Sequence, residues 1–190
     1  GIISRGGTII KSARCAEFPT KEGRQLAYET IKREGIDALI VIGGDGTFTG
    51  ARVFAQEFNI PVIGIPGTID NDLWGTDATI GYDTAMNTVK EAIDRIKDTA
   101  SSHERCSVVE VMGRNAGYLA LNAGIAVGAT CILIPEVDYD IDSYIIERMK
   151  RTQKTDKKHF IIIVDEGVCE KIGGVSNLAK IIEERTGVDS

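Results

Sequence analysis

Residues 36–58 read IDALIVIGGDGTFTGARVFAQEF, an apolar run that leads through a glycine-rich turn into a second segment rich in apolar residues. The run IDALIVI is continuous and contains several β-branched residues, which is typical of a strand that is covered on both faces. The segment ARVFAQEF has helical character. The stretch therefore predicts a strand, a tight turn and a helix in succession.

The same alternation continues along the chain. Further strands are predicted for PVIGI, CSVVEVMG, CILIPE and HFIIIVDEG, and helices for KEGRQLAYETIKREG, the segment from Thr84, NAGYLALNAGIAVG, DSYIIERMKRTQK and residues 176–186. Strands that alternate with helices form βαβ units, so we expect an α/β fold with a doubly wound, mostly parallel sheet in a Rossmann-like, three-layer arrangement. We expect a second α/β lobe to begin near CILIPE, which divides the chain into residues 1–128 and 129–190.

The bulk composition narrows the class of function. The net charge is −6, which argues against a general nucleic-acid or anionic-membrane surface. The sequence contains no apolar run of about 18 residues and no secretory segment, and its four cysteines are isolated, so we expect a cytoplasmic protein with cysteines in its core. The chain begins without Met and stops just after a helical pattern, so we expect a fragment of a longer protein.

Polar, glycine-bearing loops follow four of the predicted strands. They are GGDGT, PGTIDND, MGRNAG and DEG. Because ligands bind at the carboxyl ends of the strands in such sheets, we expect these loops to form one convergent site.

The loop GGDGT favours a phosphate ligand, since its glycines let the backbone approach closely and it opens a helix whose N–H groups attract anions. It is neither a Walker A loop nor a dinucleotide fingerprint. A divalent cation explains an aspartate within a phosphate loop, so Asp45 is a candidate Mg²⁺ ligand. The alternative, an aspartate that caps the helix in a tight turn, stays open on spacing alone.

The loop PGTIDND supplies a candidate base. Alternate residues of an extended segment share a face, which would place Thr68, Asp70 and Asp72 together. A carboxylate there can take the proton of an attacking hydroxyl group. Taken by itself, the loop fits a solvated run of turn residues at least as well.

An anionic substrate also needs cations and hydrogen-bond acceptors. Arg14 in SARC, Arg105 in SSHER and Arg114 in MGRNAG are the candidate cations, since guanidinium groups match the geometry of phosphate. For any single arginine the alternative is an ordinary surface charge. Glu166, at the end of IIIVDEG, is a candidate acceptor for sugar hydroxyl groups.

The motifs GGDGT, PGTIDNDLWGTDATIGYDTA, SSHER, VVEVMGRNAGYLAL and IPE, in this order, resemble those of the ATP-dependent 6-phosphofructokinases of the bacterial type. The similarity spans essentially the whole chain. GGDGT alone is shared with diacylglycerol, sphingosine and NAD kinases, whereas PGTIDND together with VMGRNAG is highly specific. The resemblance implies phosphoryl transfer from MgATP to fructose 6-phosphate, giving fructose 1,6-bisphosphate, in a homotetramer.

The resemblance also implies roles for individual residues. Asp70 corresponds to the general base for the sugar 1-hydroxyl group, and Thr68 and Arg114 correspond to groups that stabilise the transferring phosphoryl group. Asp45 corresponds to the Mg²⁺ ligand. Arg105 corresponds to an arginine that reaches fructose 6-phosphate from a neighbouring subunit. Further residues are implied in ATP binding, namely Arg14, Cys15, Gly44, Gly46 and Thr47, and in sugar binding, namely Ile69, Met112, Gly113 and Glu166.

Two glycines bear on the phosphoryl donor that the resemblance implies. Pyrophosphate-using relatives typically carry Asp in place of Gly46 and Lys in place of Gly67, and these groups take up the space and the charge role of the nucleotide α-phosphate. Glycine at both positions implies ATP. The alternatives are a pyrophosphate-dependent phosphofructokinase and a non-catalytic subunit that only binds sugar phosphate. Intact Asp45, Asp70 and Arg114 argue against the non-catalytic subunit.

The chain also departs from the family pattern. The N-terminal phosphate loop and the C-terminal portion that contacts the sugar 6-phosphate are missing from the sequence, so we expect the isolated chain to be inactive. An effector site for ADP and phosphoenolpyruvate is implied, but Thr130 and Thr155 stand where an acidic residue and a lysine are usual, which argues against ADP activation. The implied effector residues are Lys97, Gly128, Ala129, Thr130, Lys157, Lys158 and His159.

Overall fold

The computed structural model describes residues 1–9, 11–157 and 159–190. In these residues strands and helices alternate as predicted, which confirms the α/β class. None of the helices found there combines the length and the apolar character that a membrane span requires. The chain divides into two compact units, Gly1–Ile65 and Pro66–Ser190, and the lobe boundary expected between residues 128 and 129 stays a prediction.

In chain order the elements are α1 (Lys21–Arg33), β1 (Leu39–Gly43), α2 (Asp45–Phe58), β2 (Val62–Pro66), α3 (Ile80–His103), β3 (Cys106–Val111), α4 (Tyr118–Val127), β4 (Cys131–Leu133), a π-helical turn (Asp142–Ile146), α5 (Glu147–Thr152), β5 (Phe160–Asp165), α6 (Glu166–Ile172) and α7 (Val175–Thr186).

The first unit contains the two-stranded sheet of β1 and β2 together with α1 and α2. An ion pair joins the two helices: the Arg24 guanidinium donates to both carboxylate oxygens of Glu57, over 2.5 and 2.7 Å. The same guanidinium donates to the carbonyl oxygens of Phe18 and Pro19. One side chain therefore ties the segment before α1 to the last turn of α2.

Helix α1 ends at Arg33, and a glycine two residues later turns the chain. Gly35 has φ +66°, in the left-handed region that glycine enters without strain, and its N–H group donates to the carbonyl oxygen of Lys32 over 3.2 Å. This turn leads the chain out of the helix and toward β1.

The second unit is built on a parallel, three-stranded sheet in the order β3-β5-β4. The central strand β5 is buried at all six positions. Because alternate side chains point to opposite faces, Phe160, Ile162 and Val164 pack toward α5, α6 and α7, whereas Ile161 and Ile163 pack toward α3 and α4. Helices on both faces of a parallel sheet form the three-layer, doubly wound arrangement that the sequence predicts.

The parallel sheet of this unit positions the candidate site. All three strands run in the same direction, so the segments after β3 and β5 leave the sheet at the same edge. The register pairs Val111 with Asp165, the last residues of the two strands. Residues 112–117, which follow β3, therefore start next to the first residue of α6. We call these residues loop 112–117.

Some element boundaries differ from the predictions. Helix α3 begins at Ile80, ahead of the predicted start at Thr84, and α6 begins directly after β5, where no helix is predicted. The side chain of Asp165 accepts a hydrogen bond from Gly167 N, and this cap starts α6 at once. The strand in CILIPE is short and comprises only Cys131–Leu133.

Replacing Ile163 with Ala removes a fully buried side chain from the centre of β5. We expect the free energy of unfolding to fall by about 2–5 kcal/mol, because the variant loses the transfer energy of the side chain and gains a cavity. Ile125→Ala is the matched control, since this side chain on α4 is 66% exposed, and it should change stability by about 0.5 kcal/mol or less. Denaturant titration measures both, and equal losses would contradict the central place of β5 in the core.

Candidate active site

A glutamate joins the ends of β3 and β5. Glu166, the first residue of α6, accepts hydrogen bonds at Oε1 from the backbone N–H groups of Gly113 and Arg114, over 3.2 and 2.6 Å. Hydrogen bonds to a charged acceptor are stronger than those between neutral groups, so this pair fixes the start of loop 112–117. Glu166 thus lies beside the MGRNAG motif, at the sheet edge where the sequence predicts it.

The backbone of this loop packs unusually tightly. Arg114 has φ +56°, a left-handed conformation that is uncommon for a residue with a side chain. A Cβ atom on Gly113 would lie less than 3.0 Å from Oδ2 of Asp165, and one on Gly167 would lie less than 3.0 Å from the carbonyl oxygen of Arg114. Glycine is therefore required at both positions. Arg114 itself is exposed to solvent.

A second glutamate holds the other end of the loop. Glu136, which follows β4, accepts a hydrogen bond at Oε1 from Gly117 N over 2.8 Å. Gly117 is buried, and a Cβ atom there would lie less than 3.0 Å from the side chains of Ile134 and Glu136. The motif IPE contains this glutamate, but nothing in its spacing predicts a partner 19 residues earlier in the chain.

The loop PGTIDND is closed by its own side chains. Thr68 Oγ1 accepts a hydrogen bond from Asp70 N over 3.1 Å, and Asn71, at φ +56°, accepts one at Oδ1 from Thr79 N over 2.9 Å. The first turn of α3 packs closely on this loop, since a Cβ atom on Gly81 would lie less than 3.0 Å from the carbonyl oxygen of Thr68. Asn71 therefore ties the loop to the start of α3, a role that the sequence analysis does not predict.

The surroundings of Asp70 increase its affinity for a proton. Partial burial raises the pKa of Asp70 above its ordinary value, and the negative charges of Asp72 and Glu166 raise the pKa further. The hydrogen bond with Thr68 and the positive charge of Arg114 lower it. A carboxylate with a raised pKa is a better base near neutral pH. The structure thus brings the predicted residues Thr68, Asp70, Arg114 and Glu166 into one electrostatic neighbourhood.

A buried aspartate belongs to the same neighbourhood. Asp165, the last residue of β5, is 0% exposed, and its Oδ2 atom is buried without a hydrogen-bond partner among the described residues. The pKa of Asp165 is raised from 3.8 to about 6. Burial is the largest cause, the charges of Glu166, Glu136 and Asp70 also raise this pKa, and the hydrogen bond from Gly167 N lowers it. The sequence predicts no chemical role for Asp165 and places it only at the end of an apolar strand.

The residues expected to bind ATP phosphates lie in the first unit and are described there by themselves. Asp45 is the first residue of α2 and is exposed, whereas Gly44 is the N-cap residue, so the alternative of Asp45 as the cap does not hold. A Cβ atom on Gly46 would meet nothing within 4 Å, so open space lies beside the start of this helix. Arg14 and Cys15 are exposed in the segment before α1.

Asp45 can bind Mg²⁺ only if other groups complete the coordination of the ion. In residues 1–9, 11–157 and 159–190, no group of three or more His, Cys, Asp or Glu side chains is arranged to hold a metal ion. Mg²⁺ is commonly held by one or two carboxylates together with waters and substrate phosphates. A single exposed carboxylate at a helix N-terminus meets that requirement, and the helix N–H groups beside it suit the phosphates.

Arg105 lies at the other end of β3 from this site. It directly precedes the strand, whereas loop 112–117 follows the strand. At about 3.3 Å per residue, the strand separates the two by roughly 20 Å. The Arg105 guanidinium pairs with the Asp189 carboxylate over 2.5 Å, and both side chains are more than half exposed. Within one chain, Arg105 is therefore not brought together with Asp70.

Those predicted effector residues that the structure describes lie toward the sheet edge opposite to the candidate site. Lys97 Nζ donates to a backbone carbonyl oxygen at the end of α4 over 3.1 Å, directly before residues 128–130. Burial lowers the pKa of His159, and the positive charges of Lys157 and Lys97 lower it further. Lys158 lies outside the described residues. The effector role of this cluster stays a prediction.

The sequence and the fold are both similar to those of known phosphofructokinases. The family model for Phosphofructokinase matches residues 1–190. The chain is 58% identical over 182 residues to the ATP-dependent 6-phosphofructokinase 2 of Bacteroides thetaiotaomicron, covering 96% of this chain and 55% of that protein. It is 56% identical over 189 residues to the ATP-dependent 6-phosphofructokinase of Halalkalibacterium halodurans, covering 100% and 57%. The crystal structure of Pichia pastoris phosphofructokinase in the T-state matches with a TM-score of 0.85 and 37% identity, over 97% of this chain and 22% of that one. The chain thus spans about half the length of the curated relatives it matches.

Asp165→Asn should stabilise the protein in a pH-dependent manner. The pKa of Asp165 is raised to about 6 in the folded state. Ionisation of the buried carboxyl group therefore destabilises the folded state fully above about pH 6, and this destabilisation is absent below the ordinary pKa of 3.8. The difference in unfolding free energy between the variant and the wild type should be roughly 2–3 kcal/mol more favourable to the variant at about pH 8 than at about pH 4. Denaturant titration at both pH values measures the difference. Asp94→Asn, at an exposed position of α3, is the control, and a gain for Asp165→Asn that is equal at both pH values would contradict a buried charge.

Proposed function

The chain belongs to the phosphofructokinase family, and we propose that the protein transfers the γ-phosphoryl group of ATP to the 1-hydroxyl group of D-fructose 6-phosphate, giving fructose 1,6-bisphosphate and ADP. The observation that carries this proposal is the environment of Asp70, whose raised pKa and whose nearness to Arg114 and Glu166 suit a base that works between a sugar and a phosphate. The relatives named ATP-dependent 6-phosphofructokinase, 56–58% identical to this chain, support it.

Asp70 acts as the general base of the reaction. As the oxygen of the sugar 1-hydroxyl group forms its bond to the γ-phosphorus, its proton passes to the Asp70 carboxylate. The bond between the γ-phosphorus and the β,γ-bridging oxygen breaks, and ADP leaves with the electron pair of that bond. The guanidinium group of Arg114 and the hydroxyl group of Thr68 stabilise the negative charge on the group in transit. The hydroxyl group of Thr68 accepts from Asp70 N and also hydrogen-bonds the Asp70 carboxyl group, which places it beside the proposed base.

Glu166 and loop 112–117 form the wall that binds the sugar. Oε1 of Glu166 is engaged by two backbone N–H groups, which leaves Oε2 as the acceptor for a sugar hydroxyl group. The side chain of Met112 is 58% exposed beside it, so it offers an apolar surface to the sugar ring. The backbone of Gly113 forms part of the same wall. The backbone of Ile69 lines the sugar site next to Asp70.

ATP binds at the start of α2 in this proposal. Asp45 would hold Mg²⁺, and the ion would neutralise part of the phosphate charge. The N–H groups at the start of the helix bind the phosphates. The open space beside Gly46 supports a nucleotide rather than pyrophosphate as the donor. The other residues proposed for the nucleotide are Arg14, Cys15, Gly44 and Thr47.

The protein works as a homotetramer in the cytoplasm in this proposal. Arg105 lies at the sheet edge opposite to Asp70, so its contact with fructose 6-phosphate would come from a neighbouring subunit. The four cysteines are free thiols, and three of them are buried, which fits a reducing compartment. Both points support the proposal without depending on the chemistry of the site.

Asp70→Ser in the intact protein removes the proposed base. We expect kcat to fall roughly 10²–10⁴-fold, because a base of this kind contributes a factor of that size, while ATP affinity stays nearly unchanged. A coupled assay with fructose 6-phosphate and calorimetry with ATP measure the two quantities. Asp77→Ser is the matched control on the same loop, since Asp77 is exposed and gives only its backbone oxygen to Asn71. Activity that survives Asp70→Ser would show that another group is the base.

Gly46→Asp tests the choice of donor. The added carboxylate would occupy the open space beside the start of α2 and repel the nucleotide phosphates, so we expect kcat/KM for ATP to fall roughly tenfold or more. Gly46→Ala adds only a methyl group to that space and should retain ATP use. Turnover rates with ATP and with pyrophosphate are measured for each protein. Unmodified protein that uses pyrophosphate and not ATP would favour the pyrophosphate-dependent alternative.

A further inference from the structure

Asp165 is a buried carboxyl group that the proposed reaction does not use. It is 0% exposed at the last position of the central strand β5. Its Oδ1 atom accepts a hydrogen bond from Gly167 N over 2.9 Å, whereas Oδ2 is buried without a partner in the described part of the chain. A Cβ atom on Gly113 would lie less than 3.0 Å from Oδ2, so this oxygen faces the loop that carries Arg114.

Helix capping alone does not account for a carboxyl group at this position. The cap of α6 needs one oxygen, and asparagine or serine supplies it as well as aspartate does. Aspartate adds a charge, and a buried carboxylate oxygen without a partner is costly. Its presence beside a candidate active site points to a role for the charge itself.

Acidic groups face Asp165 from several elements. Glu166 of α6, Glu136 after β4 and Asp70 in the loop after β2 all act on its carboxyl group. From α6, the Cys169 thiol also faces it. Arg114, in the loop after β3, is the cation that acts on Asp70. Asp165 is thus the buried member of the carboxyl groups that surround the proposed base.

We propose that Asp165 is a positioning residue of the proposed kinase site: its carboxyl group fixes the helix start that carries Glu166, and its ionised form strengthens Asp70 as the base. The inference rests on the proposed function, since it assigns Asp165 an effect on the proton transfer to Asp70. It has a geometric part and an electrostatic part.

The geometric part follows from the cap. The hydrogen bond from Gly167 N to Asp165 makes Glu166 the first residue of α6. From there Oε1 of Glu166 reaches the N–H groups of Gly113 and Arg114. Without the cap the helix start loosens, Glu166 loses its fixed place, and the sugar binds more weakly.

The electrostatic part follows from the repulsion between like charges. The pKa of Asp165 is raised to about 6, so its carboxyl group loses a proton as the pH rises through that value. Above it, the negative charge of Asp165 stabilises the proton that Asp70 takes from the sugar hydroxyl group. Below that pH, Asp165 is neutral and no longer stabilises the proton on Asp70.

The test compares Asp165→Asn with Asp165→Ala in the intact protein. Asn keeps the capping oxygen and removes the charge, whereas Ala removes both. Asp94→Asn, at an exposed position of α3, is the control. The rate constant kcat and the KM for fructose 6-phosphate are measured with saturating MgATP from about pH 5 to about pH 8.5, a range that spans the titration of Asp165.

We expect the ratio of wild-type kcat to Asp165→Asn kcat to be close to one at about pH 5 and to rise to roughly three- to tenfold at about pH 8. The KM for fructose 6-phosphate should stay within about twofold of wild type in Asp165→Asn and rise roughly tenfold or more in Asp165→Ala, because only the latter displaces Glu166. Asp94→Asn should follow the wild type at every pH.

A kcat ratio that does not change with pH would overturn the inference, because the charge of Asp165 would then not act on Asp70. Equal KM values in the two Asp165 variants would also overturn it, because the cap would then not position Glu166. If Asp165→Ala fails to fold, as judged by circular dichroism, the pH dependence of Asp165→Asn decides by itself. Wild-type protein that does not phosphorylate fructose 6-phosphate would refute the proposed function instead, so the two failures are distinguishable.

Discussion

The candidate site depends on one contact, in which a single carboxylate oxygen of Glu166 accepts the backbone N–H groups of Gly113 and Arg114. The three residues lie just beyond the ends of two neighbouring parallel strands, and the register of β3 with β5 brings them together. Hydrogen bonds to a carboxylate are strong, and Arg114 adopts a left-handed conformation where its N–H group makes one of them. The place of the arginine and the tight approach of Gly113 belong to this arrangement, whereas the cap by Asp165 sets the start of α6.

Charge is the second constraint on the site. The carboxyl groups of Asp70, Glu136, Asp165 and Glu166 lie in one neighbourhood together with Arg114. Such a group of acids raises the proton affinity of its members, which a base requires, but it also repels an anionic substrate. The proposed phosphoryl transfer would reconcile these demands, because the donor would bring Mg²⁺ and Arg114 would face the transferring group. A reaction between two neutral substrates would have no need of this combination.

The parts of the structure that depend on local pattern could be predicted from the sequence. The buried strand β5 follows from its apolar run, and Asp70, Arg114 and Glu166 follow from polar loops after strands. Contacts that depend on packing could not be predicted in this way. Glu136 binds a backbone group 19 residues away, and the fully buried Asp165 caps α6. The convergence of the GGDGT loop with the other loops stays a prediction.

The central claim is that this site transfers a phosphoryl group from ATP to a sugar phosphate. The most direct measurement is phosphorus NMR of the intact protein mixed with fructose 6-phosphate and MgATP, with pyrophosphate in place of ATP as a parallel sample. We expect equal amounts of ADP and fructose 1,6-bisphosphate, with the new phosphate on the 1-hydroxyl group, from ATP alone. Absence of that product with ATP, or its formation only with pyrophosphate, would show that the site is not an ATP-dependent sugar-phosphate kinase.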